Sequence, residues 1–174
     1  MILKFKPDKY YKSVYNIDFK LLKQQGIKLI ACDLDNTLVP HDVLDAPQEV
    51  KNLIEQIKTL NLEFIILSNN HKKRVARFVQ ALNIKYYFSS RKPLKKGFVK
   101  LIKDYQLKPT EICLVGDQIV TDVFGANRVG ITSVFVEPLA QRDILYTKLN
   151  RQLEKKIIKR LTKKGYFKIG EYYD

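Results

Sequence analysis

Two carboxylates spaced two apart, Asp33 and Asp35, close an apolar run in the string Cys32-Asp33-Leu34-Asp35-Asn36-Thr37-Leu38-Val39. On a strand, positions i and i+2 point to one face. Both acids could therefore reach one pocket beyond the strand's carboxyl end, where open α/β sheets bind ligands. Acids so crowded need a cation. A second pair, Asp117 and Asp122, follows another apolar run in Val115-Gly116-Asp117-Gln118-Ile119-Val120-Thr121-Asp122. Converging on one rim, the two pairs would make an oxygen site suited to Mg²⁺, which keeps several waters and accepts a substrate phosphate as a further ligand. Leu67-Ser68-Asn69-Asn70 adds a hydroxyl and amide donors, and Arg91-Lys92-Pro93 adds a fixed positive charge. A phosphoryl group in transfer needs donors on its equatorial oxygens and a cation against its charge, which Ser68 and Lys92 would supply. Taken singly, each of these residues reads as readily as a helix cap or a solvated turn.

The elements that must position these groups are visible as short apolar runs alternating with amphipathic stretches, the signature of repeated strand-helix units and a mostly parallel sheet. Expected strands are 27–34, 62–68, 85–88, 111–115 and 131–136. Their near-continuous apolar character is what strands covered on both faces require, so the expected fold class is an α/β three-layer sandwich. Helices are expected over 47–60, where Val50, Leu53, Ile54 and Ile57 share a face and Pro47 suits a first turn, and over 72–82 and 95–105. A longer helix is expected over 141–164, with Leu145, Leu149, Leu153, Ile157 and Leu161 repeating every four residues.

Length and composition bound the rest. A chain of 174 residues, 45% hydrophobic and 11% aromatic, has the size of one domain and excludes a disordered or collagen-like polypeptide. Cys32 and Cys113 lie within apolar runs without further Cys or His at zinc spacing, so they read as small buried hydrophobes. The N-terminus lacks a secretory apolar core and no apolar run is long enough to span a bilayer, so a cytoplasmic chain is expected. The net charge of +14 suggests an anionic partner. It is unevenly placed: +5 over 1–28, −5 over 29–70, +11 over 71–108, −3 over 109–140 and +6 over 141–174. The acids gather at the ends of the first and fourth expected strands, and the bases flank them.

In this order the motifs resemble the haloacid dehalogenase (HAD) phosphohydrolase superfamily: DxDxT in Asp33, Asp35 and Thr37, a hydroxyl in Ser68, a lysine in Lys92, and GDxxxxD in Gly116, Asp117 and Asp122. The resemblance covers about residues 27–140 and implies a Rossmann-like sheet. The strings DLDNTLV, LSNN, RKP and GDQxxTDVxGAN, with KPDKYYKSVYNID before them, are similar over nearly the whole chain to the YqeG family of subclass IIIA HAD phosphatases. That family is related to the phosphatases that convert phosphatidylglycerophosphate to phosphatidylglycerol.

The resemblance implies that Asp33 attacks phosphorus to form an aspartyl-phosphate and that Asp35 protonates the leaving oxygen and then activates water. It further implies that Asp33, Asp117 and the Asp35 backbone carbonyl hold Mg²⁺, with Asp122 completing or orienting the metal site, through water or by pairing with Lys92. Ser68, Asn69 and Lys92 would bind the phosphoryl group. Lys95 and Lys96 compete with Lys92 for the lysine role. Asn127 reads as structural, and His41 and His71 as surface or substrate-rim residues.

The stretches from Val39 to Ser68 and from Asn70 to Lys92 leave no room for a cap domain, so the expected parsing is one domain, 1–174, with a catalytic core over 27–140 and a basic helix over 141–164. An open rim favours a phosphate on something large. A phospholipid held in an anionic membrane is the first expectation, because the 141–164 stretch combines its apolar stripe with many lysines and arginines, the profile of an interfacial helix. The same stripe also suits a final helix packed on the sheet. The N-terminal mixture of Phe5, Tyr10, Tyr11, Tyr15 and Phe19 with lysines is open between core packing and interfacial anchoring. Two alternatives remain: a phosphatase acting on nucleic-acid ends or another large phosphorylated substrate, and a basic nucleic-acid or ribosome-associated binding protein on the same fold. Oligomeric state is left open.

Overall fold

A computed structural model of the chain describes the backbone of residues 2–140 and 145–174 and the side chains of 2–140 and 152–174. Six strands form one parallel sheet: β1 (Lys9–Tyr11), β2 (Leu29–Cys32), β3 (Glu63–Leu67), β4 (Lys85–Tyr87), β5 (Ile112–Gly116) and β6 (Thr132–Val136). Their spatial order is β1-β6-β5-β2-β3-β4. The chain builds outward from β2 through β3 to β4, then crosses back to β5 and on to β6. The switch in direction falls between β2 and β5, the position where such sheets open a crevice for ligands.

Alternating residues of each strand feed two apolar layers, as the period of two requires. Ile30, Cys32, Phe64, Ile66, Cys113 and Val115 face α1 (Phe19–Gln24), α2 (Gln48–Thr59) and α3 (Lys72–Val79). Leu29, Ala31, Ile65, Leu67, Ile112 and Leu114 face α4 (Lys95–Tyr105) and α5 (Phe124–Asn127). Cys32 and Cys113 are buried free thiols. The stripe of α2 is Val50, Leu53, Ile54 and Ile57, all buried. Pro47 stands at its N-cap rather than inside its first turn. Among the described residues, a loop and α2 alone fill the stretch between β2 and β3.

At both ends of the chain, core packing is the alternative found among the described side chains. Residues 9–11, which read as a basic aromatic patch, are an edge strand paired with β6. Tyr10 and Tyr11 are buried while Tyr15 is exposed. The open side of β1 is closed by an antiparallel bridge from Tyr10 to Tyr173, which shields an edge that would otherwise invite another chain. α6 (Leu145–Lys163) packs Ile157 and Leu161 into a layer with Tyr10, Ile119, Val123, Phe135 and Phe167. Its lysines from Lys155 on are exposed. Over its described side chains α6 packs through Ile157 and Leu161, whereas Leu153 of the expected stripe is exposed, and Leu145 and Leu149 lie outside the residues whose side chains are described. No described helix is long and apolar enough to cross a membrane.

Candidate active site

Asp33, Ser68 and Asp117 each follow one of three adjacent strands, β2, β3 and β5, at their carboxyl ends. The ladder fixes the first of them one residue past β2, because the Asp33 N–H donates to the Val115 carbonyl at 2.9 Å. Asp117 is fully buried and accepts a hydrogen bond from Thr37 Oγ1 at 3.0 Å, which ties the two acidic motifs together across the switch point.

Asp122 arrives by a less obvious route. Residues Ile119–Val123 form a single π-helical turn, a widening that recurs at functional sites. It turns Asp122 back toward the strand end, where Oδ2 accepts from the Gln118 N–H at 3.1 Å. The close approach needs Gly116: a Cβ there would sit inside contact distance of the Asp122 carboxyl. Among the described residues, the Asp33, Asp117 and Asp122 carboxylates have oxygens within 4.8 Å of one another, and all three are buried. Such a set of hard oxygen donors fits a divalent cation.

Lys92 sits between two of these acids, with Nζ 2.8 Å from Asp33 Oδ1 and 2.7 Å from Asp122 Oδ1. Burial opposes its charge, but the flanking Asp122 and Asp33 carboxylates outweigh burial and push the ammonium above the ordinary lysine range. At Asp33, by contrast, burial dominates and raises its carboxyl to about 6, against the pull of Lys92. Lys95 and Lys96, the competing lysines, are exposed on the first turn of α4.

The second and third motifs are stitched to each other by the backbone. The Ser90 N–H donates to the Ser68 carbonyl at 3.0 Å and the Ser89 N–H to the Asn70 carbonyl at 2.8 Å. Asn69, expected to touch substrate, turns its amide onto Lys92 instead: Oδ1 accepts from the Lys92 N–H at 2.6 Å and Nδ2 donates to the Lys92 carbonyl at 2.9 Å. Ser68 Oγ accepts from the Asn70 N–H at 3.0 Å, which leaves its hydroxyl proton available to a ligand.

The Asp35 carboxylate does not join the other three. Its Oδ1 accepts from Arg74 Nε at 3.2 Å and Nη2 at 2.9 Å, and Oδ2 accepts from Asn70 Nδ2 at 3.0 Å. His41 Nδ1 stands 3.4 Å from the same Oδ1. Arg74 is buried, projects from α3, and also donates from Nη1 to the Leu44 carbonyl at 3.3 Å. Sequence reasoning passed over Arg74 among the many bases of its segment; its place one turn into an expected helix, just past LSNN, was the available signal. His71, expected at the surface or the substrate rim, is exposed and caps that helix by accepting from the Arg74 N–H at Nδ1. Asn127 has the structural part expected of it, donating to the Lys4 and Lys6 carbonyls.

Comparison with known proteins agrees with this geometry. A family profile for haloacid dehalogenase-like hydrolases matches residues 41–130. The chain is 36% identical over 167 residues to "Probable phosphatase YqeG" of Bacillus subtilis, covering 96% of this chain and 97% of that one. It is 27% identical to an Arabidopsis thaliana phosphatidylglycerophosphate phosphatase over 88% of its own length and 47% of the relative's. A HAD-family enzyme from Bacteroides thetaiotaomicron, solved as an Asp-to-Ala variant with magnesium and inorganic phosphate, shares the fold with a TM-score of 0.55 at 15% identity, covering 70% of this chain and 99% of that one. The order of the strands, the acids at the switch point and the full-length match to a bacterial relative agree, and the chain belongs to the haloacid dehalogenase-like hydrolases, as a phosphatase of that family.

Proposed function

We propose that the chain is a Mg²⁺-dependent phosphomonoesterase that works through an aspartyl-phosphate on Asp33 and dephosphorylates phosphatidylglycerophosphate at the cytoplasmic surface of a membrane. The observation that carries the chemistry is Asp33 itself: a buried carboxylate within 2.8 Å of a lysine ammonium, beside two further acids that need a cation. The lipid part is supported by the relatives from Arabidopsis thaliana and Chlamydomonas reinhardtii, both named phosphatidylglycerophosphate phosphatases, and by an uncapped rim.

In this reading an Asp33 oxygen attacks phosphorus while the ester bond opposite breaks, and Asp35 gives its proton to the departing alcohol oxygen. Asp35, now a carboxylate, takes a proton from the water that displaces the Asp33 carboxylate from phosphorus, returning both acids to their starting state. Lys92 and the Ser68 hydroxyl bind the phosphoryl oxygens throughout and offset their charge. Asp33, Asp117 and Asp122, with the Asp35 backbone carbonyl, would hold the cation, which supplies further charge neutralisation to the phosphate. Asn69 keeps Lys92 in place, and Arg74 with Asn70 holds Asp35.

The test offers the chain three substrates with Mg²⁺: phosphatidylglycerophosphate in detergent micelles, a 3′-phosphorylated oligonucleotide and a generic aryl phosphate. The lipid should be turned over with the highest kcat/KM. Preferential turnover of the oligonucleotide would overturn the lipid assignment.

A further inference from the structure

Beside the catalytic lysine, the structure opens a second space. At the edge strand β4, beside helix α4, lies a cleft of about 830 Å³, lined by Tyr86, Tyr87 and Phe88 of the strand region, by Lys96 and Gly97 of the helix, and by Arg91 between them in sequence. It is continuous in chain with the reaction centre, because Arg91 immediately precedes Lys92 and the flanking Ser90 is bonded to Ser68. Gly97 makes the close wall possible, since a Cβ there would collide with the Ser90 carbonyl.

The charges of the cleft are unequally committed. Lys100 is paired with Asp104 at 2.6 Å, the Tyr87 hydroxyl donates to the same carboxylate at 2.8 Å, and Lys85 Nζ lies over the Tyr105 ring, 4.8 Å from its centroid. Arg91 and Lys96 are exposed, and among the described residues neither takes part in an ion pair. Arg91 and Lys96 therefore flank the phosphoryl-binding lysine in sequence, at a cleft whose aromatic lining runs around the edge of β4: Tyr87 packs on the α4 side, and Tyr86 lies with Phe88 on the α3 side, where Lys72 Nζ stands 6.0 Å from the Phe88 ring centroid. Phe88 is 41% exposed and Leu94, three residues past Arg91, is 55% exposed.

We propose that this cleft receives the part of the substrate beyond the bond that is cleaved: a phosphodiester against Arg91 and Lys96, with the attached acyl chains leaving along Phe88 and Tyr86. The inference rests on the lipid reading above and deepens it. A phosphodiester one glycerol unit away from a phosphomonoester is what distinguishes phosphatidylglycerophosphate from a simple phosphate ester. A phosphorylated polynucleotide also carries a neighbouring diester, but it would need cations for the phosphates that follow, and the other two lysines lining the cleft are engaged, Lys100 by Asp104 and Lys85 by the Tyr105 ring. Free cations for one phosphate followed by apolar surface match a lipid.

The probe is dihexanoyl phosphatidylglycerol, which has the diester and acyl chains without the cleavable phosphate, compared with glycerol 3-phosphate and a short oligonucleotide. It should inhibit aryl phosphate hydrolysis competitively and move the amide resonances of Ser89 and Gly97. The double variant R91S/K96S should bind it about tenfold more weakly or worse, the loss expected when a charge-assisted contact is removed, while aryl phosphate turnover and melting temperature stay at parental values. Equal binding by parent and double variant, no binding by the parent, or preferential binding of the oligonucleotide would overturn the assignment. If the parent binds the probe in the cleft but fails to turn over phosphatidylglycerophosphate, the lipid-substrate reading falls and the phosphodiester subsite stands.

Discussion

Arg74 and Asp35 form a two-pronged pair: Nε and Nη2 of the buried guanidinium meet a single oxygen of the carboxylate at 3.2 and 2.9 Å. Asn70 fixes the other oxygen, so the proposed proton carrier is aimed by two neighbours rather than left to rotate. A guanidinium does this better than an ammonium because its donors are planar and rigid.

Arg74→Met should therefore lower kcat by about 10- to 100-fold, the scale of a misplaced catalytic group, with KM for an aryl phosphate nearly unchanged. Arg74→Lys should restore part of the loss. Steady-state kinetics of both variants check this. A rise in KM with kcat intact would mean that Arg74 serves binding instead.

Asn69 supports Lys92 from beneath by occupying both its backbone groups. Asn69→Ala leaves a buried N–H and carbonyl without those partners, at a cost of about 1–3 kcal/mol. Thermal unfolding should show that loss, and inorganic phosphate should inhibit the variant less well than the parent because Lys92 is no longer held. Unchanged phosphate inhibition would remove Asn69 from the account of the site.

Gly116→Ala places a methyl against Asp122. Crowding of this kind costs about 1–3 kcal/mol, and here the group displaced is one of the three clustered acids. The variant should require a higher Mg²⁺ concentration for half-maximal activity, read from a metal titration of the chelator-treated chain. A parental titration curve would show that Asp122 tolerates the shift.

The pH dependence of stability has a definite sign at Asp33. Burial raises its folded-state carboxyl to about 6, whereas an unfolded aspartate titrates near about 3.9. Between these values the folded chain holds a proton that the unfolded chain has lost, so stability falls as pH rises through that window. Asp33→Asn carries no charge to bury and removes this slope. In chelator, the parent should lose stability relative to Asp33→Asn as pH rises from about 4 to about 6. Parallel melting curves for the two would contradict the burial argument.

Much of this site is legible from residue order because its chemistry sits at strand ends, and strands covered on both faces announce themselves as apolar runs. Asp33, Ser68, Lys92, Asp117 and Asp122 all fall where short β-α units must turn. What escaped depends on tertiary contact. β1 is three residues long, contains a lysine and two tyrosines, and gains its strand character only by pairing with β6 and Tyr173. The π turn that delivers Asp122 leaves no mark on apolar periodicity. Arg74 and Asn69 have ordinary helix and turn identities, and their roles come from the partners that folding brings to them. The basic 71–108 segment also resolves into distinct parts: Arg74 and Lys92 are buried in ion pairs, whereas Arg91 and Lys96 stay exposed around the cleft.

Trapping the intermediate tests most directly whether Asp33 carries the phosphoryl group. Borohydride reduces an acyl phosphate to an alcohol, so quenching the chain during turnover and reducing it should convert residue 33 to homoserine, seen by peptide mass, only when substrate and Mg²⁺ are both present. Failure to find homoserine at position 33 while another carboxylate is reduced in a substrate-dependent way would contradict the account.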